Sequence, residues 1–271
     1  MTAVSGAADW AVHVHGSGRP LVLLHGFTGT SAAWDEHLEA LARGRRLIVP
    51  DLPGHGRTMA ASPADASVEA AADALAAILA SHAATPADVL GYSLGARVAL
   101  RLAVVHPSAV ARLVLESPSA GIEAADARAR RREADEALAA RLERDGIDAF
   151  VDEWEHHPIF HTHTALPVER RDRIRAMRRG NTASGLAASL RGGGQGAMEP
   201  LFDRLALVTA RTLVLAGSLD HTGRPRAERV AAGIPGALLA LVEDAGHTPH
   251  DEQPGAFRRL VLDFLQEDPA A

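Results

Sequence analysis

The sequence predicts an α/β fold in which a mostly parallel, twisted sheet carries helices on both faces and a helical cap insertion. Three observations predict it. Short apolar runs alternate with stretches of helical periodicity along most of the chain. One long charged segment interrupts this alternation. A serine flanked by glycines stands where one apolar run meets the helical stretch that follows it.

Seven short runs have the residue pattern of β-strands, and the central ones are continuously apolar, as expected for strands buried on both faces. They cover residues 11–15, 20–25, 46–50, 88–92, 112–116, 211–216 and 237–242. The first two are joined by Gly16-Ser17-Gly18, which predicts a hairpin between them. Helical periodicity covers residues 31–42, 68–80, 94–105 and 254–266.

The alternation stops in a segment that is rich in arginine, acidic residues and alanine and has helical periodicity without a good strand. We therefore predict a helical cap at residues 121–205, over the carboxyl edge of a core formed by residues 1–120 and 206–271. A solvated helical appendage is the alternative. The run Gly192-Gly193-Gly194 predicts a loop within this segment.

Composition excludes several classes of function. The chain has 271 residues, 47% of them hydrophobic, and its net charge of −6 does not suggest a nucleic-acid partner. Cysteine is absent, which excludes thiolate metal sites, and all 28 basic residues are arginine, which excludes Schiff-base chemistry on a lysine. The sequence contains no recognisable leader and no membrane-spanning run, so we expect a cytoplasmic protein without a membrane partner or an obligatory protein partner.

The run Gly91-Tyr92-Ser93-Leu94-Gly95 lies between the fourth apolar run and the next helical stretch. This context predicts a nucleophile elbow, a tight turn that lifts the serine hydroxyl to a helix N-terminus where backbone N–H groups point at a developing anion. A serine hydroxyl does little at neutral pH without a partner that takes its proton. The rest of the chain must therefore supply a histidine and an orienting acid.

Two residues after the last two apolar runs fill these roles. His247 follows the final run and is the predicted partner of Ser93, and Asp220 follows the penultimate run and would hold the imidazole in the correct tautomer. Glu116 also ends a run and is an alternative acid. We predict that the oxyanion hole is formed by the backbone N–H groups of Leu94 and Phe27.

The other histidines have simpler interpretations. His25 and His55 lie in glycine-rich loops and are expected to brace them. Four histidines cluster in the predicted cap, where imidazole groups can bind a metal, but no carboxylate at ligand spacing completes a site. They are His156, His157, His161 and His163. We therefore predict no metal and no cofactor.

The chain resembles the α/β-hydrolase superfamily, in which the triad members follow in the order Ser, Asp, His. Within it the chain is similar to the 2-succinyl-6-hydroxy-2,4-cyclohexadiene-1-carboxylate synthases of menaquinone biosynthesis, over nearly its whole length. The matching segments are LHGFTGTSAAW (24–34), DLPGHG (51–56), GYSLGARVAL (91–100), LESPSAG (115–121), FVDEW (150–154), PIF (158–160), GLAASLR (185–191) and AGHTPHDEQP (245–254).

The resemblance implies a carbon–oxygen lyase that eliminates pyruvate from a cyclohexene bearing an enolpyruvyl ether, with Ser93 as the activated base. The substrate is a tricarboxylate, which a guanidinium group can bind through two parallel hydrogen bonds. Residue-by-residue transfer implies substrate-binding roles for Arg97, Arg131, Arg178, Tyr92 and Trp154. For Arg131 and Arg178 a solvated helix face is the alternative.

The sequence departs from the family at two places. Ala96 replaces a second glycine after the elbow, and residues 220–223 do not match the charged and aromatic run that the family has after its acid. Two other functions remain open. One is a hydrolase of the same fold, acting on a carboxylic ester or on a carbon–carbon bond of a diketone. The other is a catalytically silent binding module.

Overall fold

The computed structural model describes residues 10–266. The predicted absence of an N-terminal leader therefore lies outside the described residues, as do the outermost ends of the predicted core. Strands and helices alternate through most of this range. The strands are β1 (Val12–Gly16), β2 (Arg19–Leu24), β3 (Arg45–Pro50), β4 (Ala87–Tyr92), β5 (Val110–Glu116), β6 (Arg211–Gly217) and β7 (Leu238–Val242). The helices are α1 (Asp35–Leu41), α2 (Val68–Ser81), α3 (Leu94–Val105), α4 (Ala125–Trp154), α5 (Val168–Arg179), α6 (Ala183–Gly193), α7 (Arg224–Gly233), α8 (Pro249–Glu252) and α9 (Pro254–Gln266).

The sheet has the strand order β1-β3-β2-β4-β5-β6-β7, and all pairs except β1–β3 are parallel. The predicted α/β fold is thus confirmed. The predicted hairpin is wrong, because β1 pairs antiparallel with β3 and not with β2. Gly16 and Gly18 have positive φ angles of 70° and 112°, which lets the chain cross closely over the start of β3. A Cβ atom on Gly18 would lie 2.3 Å from the carbonyl oxygen of Gly44.

Strand β2 shows why the central runs are continuously apolar. Leu21 and Leu23 face a cluster that includes Trp34 and Phe257 of the α1 and α9 side. Val22 and Leu24 face the opposite cluster, which α2 and α3 cover. Since successive side chains of a strand point to opposite faces, a strand between two helical layers needs apolar residues at every position.

Two helices of the core escaped prediction, α7 and the four-residue α8. Helix α7 follows Asp220 and buries only Ala227, Val230 and Ala231. Three small apolar residues among four charged ones give little periodicity, although the proline near its start is a typical helix signal. Elsewhere the predicted helices are present, and the predicted helix 31–42 begins with a 3-10 turn at Ser31–Trp34.

We refer to residues 121–205 as the cap segment, although its status as a separate domain stays a prediction. It contains α4, which breaks at Gly146, a 3-10 stretch at Pro158–Ala165, and the helices α5 and α6. Helix α4 packs against α6 around a small apolar cluster of their own. None of the helices in residues 10–266 is long and apolar enough to cross a membrane.

The predicted glycine loop of the cap segment is wrong for two of its three residues, and only Gly194 lies beyond the helix. Gly192 and Gly193 form the last turn of α6. A Cβ atom on Gly192 would lie 1.7 Å from the carbonyl oxygen of Pro63, so the glycine allows the end of α6 to pack against a loop of the core. The run therefore serves close packing and not flexibility.

Candidate active site

The nucleophile elbow has the geometry that its sequence predicts. Ser93 has φ 51° and ψ −101°, an unusual conformation for a residue with a side chain. A Cβ on Gly91 would meet the backbone of Gly95 at 2.3 Å. The Ser93 N–H donates to the carbonyl of Glu116 at 2.9 Å, and the Gly95 N–H donates to the carbonyl of His25 at 3.1 Å. Neighbouring strands thus hold the serine in its strained turn.

Three side chains from distant parts of the sequence form a hydrogen-bonded chain at this turn. Nε2 of His247 lies 3.2 Å from Oγ of Ser93, and Nδ1 of His247 lies 2.7 Å from Oδ2 of Asp220. The other carboxylate oxygen of Asp220 accepts a hydrogen bond from the Gly223 N–H at 2.7 Å. Burial alone would raise the pKa of Asp220, but the hydrogen bond from His247 and the positive charge of its imidazolium form, with the Gly223 amide, hold it below its usual value.

The alternative acid, Glu116, has a different partner. Its carboxylate accepts hydrogen bonds from the backbone N–H of His250 at 2.9 Å and from Nδ1 of His250 at 2.8 Å. Burial acts to lower the pKa of His250, but the charges of Glu116 and Asp251 outweigh it and raise this pKa to about 9. The structure therefore pairs Asp220, and not Glu116, with His247.

The loop that carries His247 is itself braced from two sides. The Ser117 hydroxyl donates to the His247 carbonyl at 2.9 Å. The Glu252 carboxylate accepts hydrogen bonds from the N–H groups of Gly246 at 2.7 Å and Thr248 at 3.0 Å. Because each of these bonds restrains the backbone on either side of His247, they limit the orientations open to its ring.

The two residues of the predicted oxyanion hole, Phe27 and Leu94, both have backbone amides near the elbow that could serve it. Within the described residues, the N–H groups of Phe27 and Leu94 donate to no backbone carbonyl outside helices and strands. Both residues line the same cavity as Ser93. Gly26 is needed here because a Cβ would lie 2.5 Å from the ring of Tyr92. The assignment of these two amides stays a prediction.

The loop that carries Phe27 depends on buried histidines. His25 is inaccessible to solvent; its Nε2 accepts a hydrogen bond from the Leu52 N–H at 2.9 Å and its Nδ1 donates to the Gly26 carbonyl at 2.8 Å. Burial lowers the pKa of His25 and lowers that of His55 to about 3, so both rings are neutral. These contacts agree with the predicted bracing role.

Asn181 is a structural link that sequence reasoning missed. It is buried just after α5, its carbonyl oxygen accepts a hydrogen bond from the Gly56 N–H at 2.8 Å, and its amide nitrogen donates to the Thr28 carbonyl at 2.9 Å. It thereby joins the cap segment to two core loops beside the site. An asparagine after a helix is an ordinary sequence feature, and neither partner is near it in the sequence.

A cavity of about 600 Å³ opens above the elbow between the core and the cap segment. Tyr92, Ser93 and His247 form its floor, and Trp154 contributes from the cap segment. The Trp154 ring lies edge-on to the Phe27 ring, with 5.5 Å between their centroids. The core and the cap segment thus share one site.

Two of the predicted arginines line this cavity and one does not. Arg97 is buried and donates a hydrogen bond to the Gly193 carbonyl. Arg131 pairs with Asp135 at 2.9 Å. Arg178 is 4% exposed and lines a separate cavity of about 140 Å³, where its guanidinium lies 4.4 Å from the centroid of the Phe160 ring. All three substrate-binding roles remain predictions.

Sequence reasoning missed two further arginines of the larger cavity. Arg141 of α4 lines it and pairs with Glu153 at 3.1 Å, and Arg226 of α7 lines it from the side of Asp220. Arg226 could not be placed because α7 was not predicted. The signal that would have found it is the proline-initiated start of that helix directly after the acid.

The cap histidines contact different partners and do not converge on one point. Nδ1 of His156 donates to the Asp152 carbonyl at 2.7 Å, and Nδ1 of His157 accepts a hydrogen bond from the Ile159 N–H at 3.2 Å. Nε2 of His163 contacts the Thr248 hydroxyl at 2.6 Å. In the part of the chain that the structure describes, there is no group of three or more His, Cys, Asp or Glu residues that could hold a metal ion.

Residues 19–254 match the alpha/beta hydrolase fold family. The chain belongs to this family. A Bacillus subtilis (strain 168) relative is 35% identical over 97% of this chain and 96% of its own. The 2-succinyl-6-hydroxy-2,4-cyclohexadiene-1-carboxylate synthase of Escherichia coli O1:K1 / APEC is 33% identical over 91% of this chain and 93% of its own. The structure of MenH from S. aureus superposes with a TM-score of 0.90 at 33% identity, covering 94% and 97% of the two chains. The resemblance predicted from the sequence is thereby confirmed.

Proposed function

We propose that this protein eliminates pyruvate from 2-succinyl-5-enolpyruvyl-6-hydroxy-3-cyclohexene-1-carboxylate and releases 2-succinyl-6-hydroxy-2,4-cyclohexadiene-1-carboxylate, a step of menaquinone biosynthesis. The observation that carries the proposal is that one cavity holds both a Ser93–His247–Asp220 chain and several arginines. The first provides a base and the second suits a substrate with three carboxylates. Similarity to the synthases supports the identity of that substrate.

Ser93 is the proposed base. Because Asp220 accepts the Nδ1–H of His247, Nε2 is free to accept a proton from the Ser93 hydroxyl, 3.2 Å away. The serine oxygen would in turn remove the proton from the ring carbon beside the succinyl ketone. His247 then carries a positive charge that the Asp220 carboxylate stabilises.

Removal of this proton moves negative charge onto the ketone oxygen, where the N–H groups of Phe27 and Leu94 would stabilise it. As the charge returns, the ring carbon–oxygen bond to the enolpyruvyl group breaks and its electron pair leaves with the oxygen. The ring gains a second double bond, and the enolate that departs takes up a proton to become pyruvate. Water is not a reactant.

The arginines account for specificity in this proposal. Arg97 and Arg131 would bind substrate carboxylates, and Tyr92 and Trp154 would form apolar walls. For Arg178 we propose an indirect role, since its guanidinium packs on Phe160, a residue that lines both cavities. A cytoplasmic location is part of the proposal.

The second candidate is a serine hydrolase that cleaves a carboxylic ester or a carbon–carbon bond of a diketone. The strained elbow and the two amides favour it equally, because they stabilise a tetrahedral intermediate as well as an enolate. The two functions differ in whether water enters the product and in whether carboxylates on the substrate matter.

The test supplies the substrate continuously from the preceding enzyme of the pathway and follows pyruvate and diene absorbance together. The expected result is one pyruvate for each diene, at a rate far above spontaneous decay, and loss of the acceleration in Ser93→Ala. An enzyme that fails to exceed spontaneous decay, yet hydrolyses p-nitrophenyl acetate with Ser93, would overturn the lyase in favour of the hydrolase.

A further inference from the structure

Helix α7 places an arginine in the active-site cavity that neither the motifs nor the resemblance had indicated. Arg226 lies on the first turn of α7 and lines the same cavity as Ser93 and His247. It follows the stretch 220–223, which is one of the two places where this sequence departs from the family it resembles. The stretch that differs from the family is therefore followed directly by a positive charge at the wall of the active-site cavity.

Arg226 differs from its neighbours in having no counterion. Arg224 on the same helix pairs with Glu228 at 2.8 Å, and Arg229 pairs with Glu123 at 2.6 Å. Throughout residues 10–266, by contrast, the Arg226 guanidinium makes no ion pair and no hydrogen bond, and the residue is only partly shielded from solvent. Its charge is thus available to a molecule that enters the cavity.

Each of the other arginines that line the cavity already has a partner within the protein. Arg131 pairs with Asp135, Arg141 pairs with Glu153, and Arg97 donates to a backbone carbonyl. Loss of hydration and then the positive charge of Arg131 lower the pKa of Arg226, while Asp220 acts in the opposite direction. Arg131 and Arg226 thus repel each other across the cavity, and a bound anion would relieve that repulsion.

We propose that Arg226 binds a carboxylate of the substrate and so helps to select a polyanionic substrate over a neutral one. This inference rests on the proposed function. Four arginines line the larger cavity from three elements: Arg97 of α3, Arg131 and Arg141 of α4, and Arg226 of α7. Arg178 lies in the smaller cavity. Because α7 starts close to Asp220, a carboxylate bound by Arg226 would also be held at a fixed position relative to the triad.

The first test measures pyruvate elimination in Arg226→Gln, Arg226→Lys and Arg224→Gln. Arg224→Gln is the matched control, because it removes an arginine from the same turn that is paired with Glu228. We expect Arg226→Gln to raise KM about tenfold with kcat within about threefold of the wild type, the loss typical of one charge-assisted hydrogen bond. Arg226→Lys should recover part of the loss, and Arg224→Gln should match the wild type.

The second test does not require turnover. A neutral fluorophosphonate labels Ser93, and propane-1,2,3-tricarboxylate is added as the competing anion, with Ser93→Ala as the blank. Protection should need about tenfold more tricarboxylate in Arg226→Gln than in the wild type or Arg224→Gln. If the wild type eliminates no pyruvate but shows this protection pattern, the lyase fails and the Arg226 site stands. If Arg226→Gln matches the wild type in KM and in protection, or if the anion protects neither, the Arg226 site is overturned.

Discussion

Two acid–histidine pairs lie side by side at the carboxyl edge of the sheet and have different surroundings. His247 lies 2.7 Å from Asp220, and His250 lies 2.8 Å from Glu116. The Tyr92 ring stands between the two imidazoles, with centroid distances of 5.6 Å to His247 and 4.7 Å to His250. Only His247 lines the cavity and reaches Ser93. Both pairs consist of a carboxylate and an imidazole, so their positions relative to Ser93 decide which of them can take part in catalysis.

The two pairs also respond to pH in opposite directions. His250 is fully buried, and the charges of Glu116 and Asp251 outweigh that burial and raise its pKa to about 9, so it stays charged at neutral pH. Burial tends to raise the pKa of Asp220, but the hydrogen bond from His247 brings it below its usual value. The Glu116 pair therefore weakens in alkali, whereas Asp220 loses its contribution in acid. We interpret the first pair as a fixed charge inside the core and the second as a base, in which His247 takes the proton of Ser93 while Asp220 stays ionised.

The largest expected effect separates catalysis from stability. Asp220→Asn should lower kcat by about 10³- to 10⁴-fold, because an amide at this position favours the wrong tautomer of His247. Initial rates of pyruvate release measure it, and urea unfolding should show a smaller loss of stability than Glu116→Gln. A kcat within tenfold of the wild type would exclude Asp220 as the orienting acid.

The reciprocal change is Glu116→Gln, which removes the nearer of the two carboxylates that face the buried His250 and leaves only Asp251, 3.4 Å from Nε2. We expect the free energy of unfolding to fall by about 3–5 kcal/mol, the usual cost of breaking a buried ion pair by removing one partner. Urea unfolding measures the loss. Turnover per folded molecule should stay within about tenfold of the wild type, and a loss as large as that of Asp220→Asn would contradict the distinction between the pairs.

The pH dependence of stability tests the His250–Glu116 pair in the wild-type protein. A histidine with a folded pKa of about 9 and an ordinary value of 6.5 contributes stability that is complete below pH 6.5 and is lost as pH rises through 9. Unfolding free energies at pH 6.5, 8 and 9.5 should therefore decline. In His250→Gln this decline should flatten, and an unchanged slope would show that another group titrates.

The smallest expected effect concerns the brace between the two pairs. Ser117→Ala removes the hydrogen bond from its hydroxyl to the His247 carbonyl and should cost about 1 kcal/mol of stability. We also expect kcat to fall about threefold, because His247 gains freedom. Ser81→Ala is the matched control, since its hydroxyl makes a similar bond to the Ile78 carbonyl far from the site. An equal kcat in both variants would show that Ser117 does not help to position His247.

Sequence reasoning succeeded where local chemistry dictates structure. The elbow needs glycine at positions 91 and 95 because backbone atoms lie within 2.5 Å of any Cβ there. The two glycines in the sequence are therefore enough to predict the tight turn. Ser93, Asp220 and His247 meet because each follows a parallel strand and these strands all end at one edge of the sheet. The interrupted alternation likewise predicted the helices between β5 and β6.

It failed where contacts cross between distant segments. The pairing of β1 with β3 depends on a chain crossing at Gly16 and Gly18 that resembles an ordinary turn in the sequence. Arg178 and Arg226 are single arginines among many, and only the packing of their helices decides which cavity each one faces. Side-chain direction on a helix of low periodicity cannot be read from residue type.

The most direct test of the central claim is the initial rate of pyruvate release, with equal diene formation, in Asp220→Asn and Glu116→Gln at matched concentrations of folded protein. We expect Asp220→Asn to lose almost all acceleration over spontaneous decay, while Glu116→Gln keeps most of it. The opposite ranking, or equal losses in two folded variants, would contradict the assignment of the Ser93–His247–Asp220 chain as the base.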